Sequence, residues 1–547
     1  MGERMEVKHY PAQVPLKLEI PEFPVPQILT NSAKEFPNET ALISGKEKIS
    51  YRELEEKSNC FAHSLQRLGV KKGEKVAMLL LNSFEVAITF FGTLKAGAIL
   101  VPLNPRFTEK ELKYILRDSE VKVVICFGPL IKKIEQVVEK ETKIITTPLP
   151  KGMVGFPKQL MLELWKIGRI LRKKSLGIPF KKLLQESPNY QKVRIKPDDL
   201  AVIQYTAGTT GQSKGVMITH KNIIANVLQI NAIAWTMEKS KETFLVIVPP
   251  FHVAGLVNIL CWGIYLAAKQ VLLPRFHPSE ALEAMLKYKP SFFFGVPAIF
   301  AALLKVMKTK GKGYRFDFLK FAAIGTAPCS TSLFRKLQKI FPEITEGYGL
   351  TETTGVCFAN PIGGLKKVGS VGIPFPGVGV KIVDPQSREE LRHREIGEIL
   401  IKGPNVSPGY WKLHKETEKI FKNGWIATGD AGYIDEDGYL YIVDRLKDII
   451  NVRGEKVSSL EVERVLAEHP AISEAAVIGV PDPYWGEKVV GYLVLKKAIT
   501  TREILEYCRK NLADYKIPQK FKIVESLPKS AMGKILKREL RKEVVLA

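Results

Sequence analysis

Cysteine is scarce in this 547-residue chain, and the six present (Cys60, Cys126, Cys261, Cys329, Cys357 and Cys508) form no C-x-x-C pair. That scatter argues against a zinc site or a disulfide framework and suits a reducing compartment. Long apolar runs are lacking too. The longest uncharged one, Val253 to Ala268, falls short of the ~20 residues that span a bilayer and reads as a buried helix. Met1 to Glu6 lacks the apolar core of a signal peptide, and Glu6 stands where a myristoylation signal wants Ser or Thr. These absences lead to an expected cytoplasmic location. No internal repeat, low-complexity tract or DNA- or RNA-binding motif is present, so nucleic acid is not an expected partner.

Positive charge, by contrast, is abundant: 82 Lys and Arg against 57 Asp and Glu, a net +25. Most of it is spread along the chain, as on a lysine-rich surface. The concentrated exception is 155–176. Here Leu160, Leu164, Ile167 and Leu171 share one helical face beside Trp165, among Lys158, Lys166, Arg169, Arg172, Lys173 and Lys174. Such a stretch suits peripheral contact with an anionic membrane at its inner face. The commoner outcome is an amphipathic helix packed on its own domain.

Strands at Lys75–Leu80, Ala98–Val101 and Val121–Cys126 alternate with helices at Tyr51–Leu68, Glu85–Ala96 and Glu109–Asp118. That order predicts βαβ units and a mostly parallel sheet. Alternation resumes with strands at Leu200–Gln204, Phe244–Val248, Phe292–Phe294 and Phe321–Gly325. From Gly369 to Tyr441 the spacing shortens into a β-rich region, and past Asp444 a separate α+β pattern begins, with helices at Ser459–Glu468 and Thr501–Asn511. The expected fold is therefore α/β: a large N-terminal domain, 1–445, of mostly parallel sheets with flanking helices plus a β-rich subdomain, and a small α+β C-terminal domain, 446–547.

The most informative stretch follows the strand Leu200–Gln204. Tyr205, Thr206, Ala207, Gly208, Thr209, Thr210, Gly211, Gln212, Ser213, Lys214 and Gly215 combine three glycines with hydroxyls and one ammonium. Backbone N–H groups freed of side chains, with a point charge beside them, hold polyphosphate. A Walker loop is excluded because Ser213 stands where its second glycine belongs. Gly211 to Gly215 fits G-x-S-x-G, but a nucleophile elbow leads directly into a helix, and Val216–Thr219 reads as a strand.

Five further segments accompany the loop. Gly325-Thr326-Ala327-Pro328 ends a strand in small residues suited to a flat ring. Glu346-Gly347-Tyr348-Gly349-Leu350-Thr351-Glu352 joins an aromatic plate to a hydroxyl and a carboxylate. Thr428-Gly429-Asp430 presents an acceptor for ribose hydroxyls. Asp444 to Asp448 packs four charges into five residues, and Lys534 stands in a glycine-flanked loop. In this order they resemble the adenylate-forming enzymes: acyl- and aryl-CoA synthetases, luciferases and peptide-synthetase adenylation domains. The resemblance runs from Asn31 to Arg538 and implies a large N-terminal domain with a mobile C-terminal lid.

The resemblance also implies roles. ATP phosphates would lie along Thr206 to Lys214, with Thr206 and Glu352 near Mg²⁺ and Thr351 near phosphate. Gly325, Ala327, Glu346, Gly347, Tyr348 and Gly349 would form the nucleotide site, Ala327 and Tyr348 sandwiching adenine. Asp430 and Arg445 would take the ribose hydroxyls. Lys534 would reach the α-phosphate, and His252 would stand near the reacting carbonyl. Lys447 would be the hinge, and Gly454 would line the path of coenzyme A. Thr326 departs from the usual glycine, with the expectation that it narrows the mouth of the acyl pocket. Ser459 stands where many members have proline, as an expected helix cap.

The implied activity is ATP-dependent conversion of a carboxylic acid to acyl-AMP with release of pyrophosphate, then transfer to coenzyme A. Long- or medium-chain fatty acid is the expected substrate, from the apolar segments Val253–Ala268 and Phe292–Phe294 and from the resemblance to fatty-acyl-CoA synthetases. An aryl or short-chain acid, or transfer of the acyl group to a carrier protein, are the alternatives.

Overall fold

A computed structural model describes residues 9–150, 177–206, 213–311, 313–453, 455–529 and 535–545. The basic stretch 155–176 lies outside them.

Among the described residues, one sheet of nine strands has a parallel centre: Thr40–Ser44, Lys269–Leu272, Thr243–Val246, Phe292–Gly295, Phe321–Ile324 and Ile344–Leu350. A second sheet, of eight, places Lys75–Leu79, Ile99–Pro102, Val121–Phe127 and Lys143–Thr147 in parallel. Helices cover both sheets, and their starts follow local chemistry. Ser50 and Glu53 form a capping box at Tyr51–Arg67, and Thr108 and Glu111 another at Glu109–Asp118.

Several elements escape the sequence reading, two of them for clear reasons. Strand Lys143–Thr147 is short and carries polar residues at both ends. Helix His220–Ile233 is buried almost all round. Asn222, Asn226 and Gln229 mark one helical face that a pattern reading takes for solvated. They are instead internal anchors, donating to the carbonyls of Pro404, Val356 and Pro376 at 2.9, 2.7 and 3.0 Å. The segment Val253–Ala268 is helical and buried, as expected, but winds as a wide π-helix over Ala254–Cys261 before tightening at Trp262–Tyr265.

The β-rich region holds antiparallel strands Gly379–Val383, Gly397–Lys402, Trp425–Ile434 and Leu440–Arg445. A short turn, Leu446–Asp448, then leads into a further sheet built from Ile449–Val452, Glu455–Ser458, Ile472–Asp482, Gly486–Leu495 and Lys520–Ile523. This sheet has its own apolar clusters, around Val462, Leu466 and Ile504 on one face and Tyr492 and Leu540 on the other. The cap of helix Ser459–Glu468 corrects an expectation. Ser458, not Ser459, accepts the Glu461 N–H. The Ser459 hydroxyl donates to Asp444 Oδ2 at 2.7 Å, and the Leu460 N–H does so at 3.0 Å, so the helix start is tied to the strand before the turn.

Candidate active site

The strand Leu200–Thr206 ends in the glycine-rich loop and returns as the antiparallel strand Lys214–Thr219. A strand after Gly215 leaves no nucleophile elbow. Ala207, Gly208, Thr209, Thr210, Gly211 and Gln212 lie outside the described residues, as do Gly454 and Lys534. The two ends of the loop are held close, with the Thr206 hydroxyl 3.5 Å from the Lys214 carbonyl. Ser213 accepts a hydrogen bond from Tyr114 through its carbonyl at 3.3 Å. Lys214 Nζ pairs with Glu416 at 2.8 Å and lies over the Tyr410 ring.

Lining the same cavity as the loop ends Thr206 and Lys214 is the hairpin Ile344–Leu350 with Gly355–Ala359. Its backbones are too close for a side chain at Gly349, where a Cβ would stand 2.0 Å from the Gly355 carbonyl oxygen. Glu352 follows on the short turn Thr351–Thr353. Its Oε1 accepts from the Tyr410 hydroxyl at 2.8 Å, and its carbonyl accepts from the Ser407 N–H. Asn405 fixes the same turn by donating to the Thr353 carbonyl at 2.9 Å.

Asp430 and Arg445 face each other across the strands Trp425–Ile434 and Leu440–Arg445, with Nε and Oδ1 2.6 Å apart. The Tyr348 hydroxyl donates to the other carboxylate oxygen at 2.5 Å. Burial and the Asp430 charge push the Tyr348 phenol far above its ordinary range, so it remains a donor. One network thus links the aromatic plate, the acceptor and the guanidinium.

Gly325, Thr326 and Ala327 follow the strand Phe321–Ile324, opposite Gly347: a Cβ on Gly325 would stand 3.1 Å from the Gly347 carbonyl. Thr326 has φ +65°, the left-handed region, where a β-branched residue is an outlier. Its conformation is one that glycine adopts without cost, which gives its departure from glycine a backbone consequence. Glu346 is buried, and burial pushes its carboxyl up to about 7.

His252 follows the strand Thr243–Val246 on a short loop. Its Nδ1 accepts from the Ala254 N–H at 3.2 Å, and burial pulls its pKa down to about 4. The ring is therefore neutral at physiological pH, with its proton on Nε2. Lys447 is exposed on the turn Leu446–Asp448.

These groups line one cavity of about 1620 Å³. Its polar end carries Thr206, Lys214, Glu352, Asp430, Arg445 and Lys447. His252 lines the same cavity, together with an apolar lobe of Ile233, Ile259, Trp262, Phe292 and Ala323. Trp262 and Phe292 pack edge to face, 5.1 Å between centroids, and Phe321 closes on Phe292 at 4.9 Å. A polar side chain in that lobe, Asn258, has both amide atoms engaged: it donates to Asn226 at 2.6 Å and accepts from the Val356 N–H at 3.2 Å.

Comparison with known proteins matches residues 29–411 to the AMP-binding enzyme family and residues 461–534 to the C-terminal domain of AMP-binding enzymes. The chain belongs to the AMP-binding enzymes. A long-chain-fatty-acid–CoA ligase of Bacillus subtilis (strain 168) is 38% identical over 554 residues, covering 98% of this chain and 97% of its own length. Among solved structures, the anthranilate CoA ligase AuaEII in complex with anthranoyl-AMP is 28% identical, with TM-score 0.84, over 97% of this chain and 98% of its own. The o-succinylbenzoate coenzyme A synthetase MenE from Bacillus subtilis, in complex with ATP and magnesium ion, is 28% identical, with TM-score 0.81, over 95% and 100%.

In this AMP-binding enzyme the site also contains residues that the sequence reading passed over. Tyr410 and Glu416 bond Glu352 and Lys214 from 58 and 202 residues away, a separation that no local pattern reveals. The pair Gly409-Tyr410, which forms a strand against Lys214–Thr219, was the available signal.

Proposed function

We propose that this chain is an AMP-forming acid–CoA ligase whose acid is a long- or medium-chain fatty acid. ATP, Mg²⁺ and coenzyme A are its co-substrates. The observation that carries the reading is a single cavity lined both by anion-handling groups and by His252 and an apolar cluster of Trp262, Phe292 and Phe321. The identity of the fatty-acid relatives, extending over nearly the whole chain, supports the same substrate class. An aryl or short-chain acid needs a polar anchor in the lobe, and Asn258 has its amide committed elsewhere.

The residues fit Mg²⁺–ATP. Among the described residues no three His, Cys, Asp or Glu side chains gather to cage a metal. Mg²⁺ rarely uses such a cage, taking one or two carboxylates together with substrate phosphates and water. Glu352, with Thr206 nearby, is the proposed ligand. Held there, the ion would screen phosphate charge and help orient the α-phosphorus. Lys214 would exchange Glu416 for phosphate. Ala327 and Tyr348 would hold the adenine, and Asp430 and Arg445 the ribose.

Two steps follow. A carboxylate oxygen attacks the α-phosphorus, the bond to the bridging oxygen of the β-phosphate breaks, and pyrophosphate leaves. The thiolate of coenzyme A then attacks the acyl carbon, and AMP leaves with its oxygen. His252, neutral with its proton on Nε2, would donate to the acyl oxygen. Residues 446–547 are proposed as a lid on 1–445, turning at Lys447 to bring Lys534 and then Gly454 to the site.

Pyrophosphate release against acids of graded length, with and without coenzyme A, tests the reading. Release that peaks with long or medium chains, and thioester formed only with coenzyme A, is expected; a peak with aryl or short acids overturns the substrate, and acyl-AMP without thioester points to a carrier-protein acceptor. We further propose that 155–176 binds anionic membrane. Replacing Lys158, Arg169 and Lys173 with Glu should then weaken sedimentation with anionic vesicles, since each basic residue near such a surface contributes ~1 kcal/mol.

A further inference from the structure

Two opposite charges, Glu346 and Arg464, line the same cavity without touching. Glu346, from the strand Ile344–Leu350, is 9% exposed, and the hydrogen bond that its Oε1 accepts from the Cys329 N–H is long, at 3.4 Å. Arg464 reaches the same cavity from the helix Ser459–Glu468 in the C-terminal part, and its Nε is buried without a hydrogen-bond partner. Among the described residues no ion pair joins the two. The neighbouring groups leave them to each other. Glu463, beside Arg464, is taken by Lys537 at 2.8 Å and by the Val477 N–H at 2.7 Å. The Cys329 thiol, pushed up by burial and by Glu346, is neutral. A buried guanidinium N–H with no acceptor and a buried carboxyl with one weak donor are each unfavourable unless a ligand matched to both comes between or beside them.

We infer that Arg464 is a positioning residue for the nucleotide, facing Glu346 from the lid and holding its carboxylate as an acceptor for the 6-amino edge of the purine. This rests on the ligase reading above, which places adenine between Ala327 and Tyr348. The amino group of adenine donates to a carboxylate. A 6-oxopurine offers an acceptor at the same position, so a carboxylate rejects it and a protonated carboxyl admits it. Burial drives Glu346 toward the protonated form, while the Cys329 N–H and Arg464 oppose it. Because Arg464 belongs to the C-terminal part, base selection is complete only while that part stands over the site as it does here.

The test compares single-turnover pyrophosphate release from ATP and from inosine triphosphate over about pH 6–9, the range in which such a group titrates. It uses the full-length protein and its Arg464→Ala, Arg464→Lys and Glu346→Gln variants. Each preference is a ratio within one variant, so partial loss of folded protein cancels. The wild type should prefer ATP more strongly as pH rises. In Arg464→Ala the preference near pH 7 should fall at least about tenfold, the factor that one pKa unit represents, and should recover at higher pH. Arg464→Lys should retain most of it. Glu346→Gln should show a preference that no longer varies with pH. An Arg464→Ala preference equal to the wild type at every pH overturns the inference while leaving the ligase reading intact. Absence of pyrophosphate release by the wild type with ATP and any acid overturns the ligase reading and this inference with it.

Discussion

At Tyr348 an aromatic face and a hydroxyl have separable functions. Phenylalanine would keep the plate and lose the 2.5 Å bond to Asp430. A hydrogen bond to a charged group is worth about 1.5–3 kcal/mol, so Tyr348→Phe should raise KM for ATP roughly tenfold to a hundredfold and leave KM for the acid nearly unchanged. Equal increases for both substrates would show that the bond holds the whole site and not the nucleotide alone. A second residue sets a pH limit on stability. His220 is buried, its Nδ1 accepts from the Val25 N–H at 3.1 Å, and burial holds its pKa at about 4. Unfolded, it would titrate near ~6.5. Between those values the unfolded chain binds the proton and the folded one does not, so stability is full above the upper value and falls as pH drops toward the lower one. The loss should approach roughly 3 kcal/mol at the acid end. Urea midpoints measured across that range should show a steeper acid decline for the wild type than for His220→Gln; parallel curves would discard the assignment.

Among the elements, the strand Phe321–Ile324 carries the clearest consequence for substrate choice. Phe321 and Ala323 share the face that lines the apolar lobe, and the small side chain at 323 leaves space there. Ala323→Phe should therefore cut kcat/KM for long acids at least tenfold more than for short ones, since overfilling a packed apolar space displaces whatever must share it. A uniform loss over all chain lengths, read in the pyrophosphate assay, would place Ala323 outside the acyl path. Elements of this kind were legible because parallel strands buried on both faces read as unbroken apolar runs, and capped helices announce their own starts, as at Ser50 and Thr108. Motifs at strand ends were legible for the same reason: Gly325 and Glu346 each lie on or just beyond a strand of the parallel sheet. Hidden elements failed for the opposite reason. Helix His220–Ile233 turns its polar stripe inward to the carbonyls of Pro404, Val356 and Pro376, so its periodicity suggests solvent where there is protein. Tyr410, Glu416 and Arg464 act across the fold on residues far away in sequence, and composition carries no trace of such pairings.

For the whole molecule, the question is whether one cavity serves two reactions by exchanging the groups that face it. The starting geometry ties the helix at Ser459 to Asp444 and places only the short turn Leu446–Asp448 between the two parts. Movement of the C-terminal part must then be taken up in the backbone around Lys447. Lysine at 534 supplies a compact charge for the α-phosphate, and it belongs to the part that would move. Removing one preorganised charge-stabilising donor slows a step by roughly 10²–10³-fold. Lys534→Ala should therefore slow acyl-adenylate formation by at least that factor and leave thioester formation from synthetic acyl-adenylate and coenzyme A near normal. Lys447→Pro should act in reverse, because proline fixes φ and stiffens the turn: adenylation should persist, while the thiol step, assigned in the proposal to a second pose, should fall. Single-turnover measurements of each step in both variants decide the matter. Equal losses in the two steps for Lys534→Ala would mean that its ammonium stays at the site throughout, and that the two reactions share one arrangement of the lid.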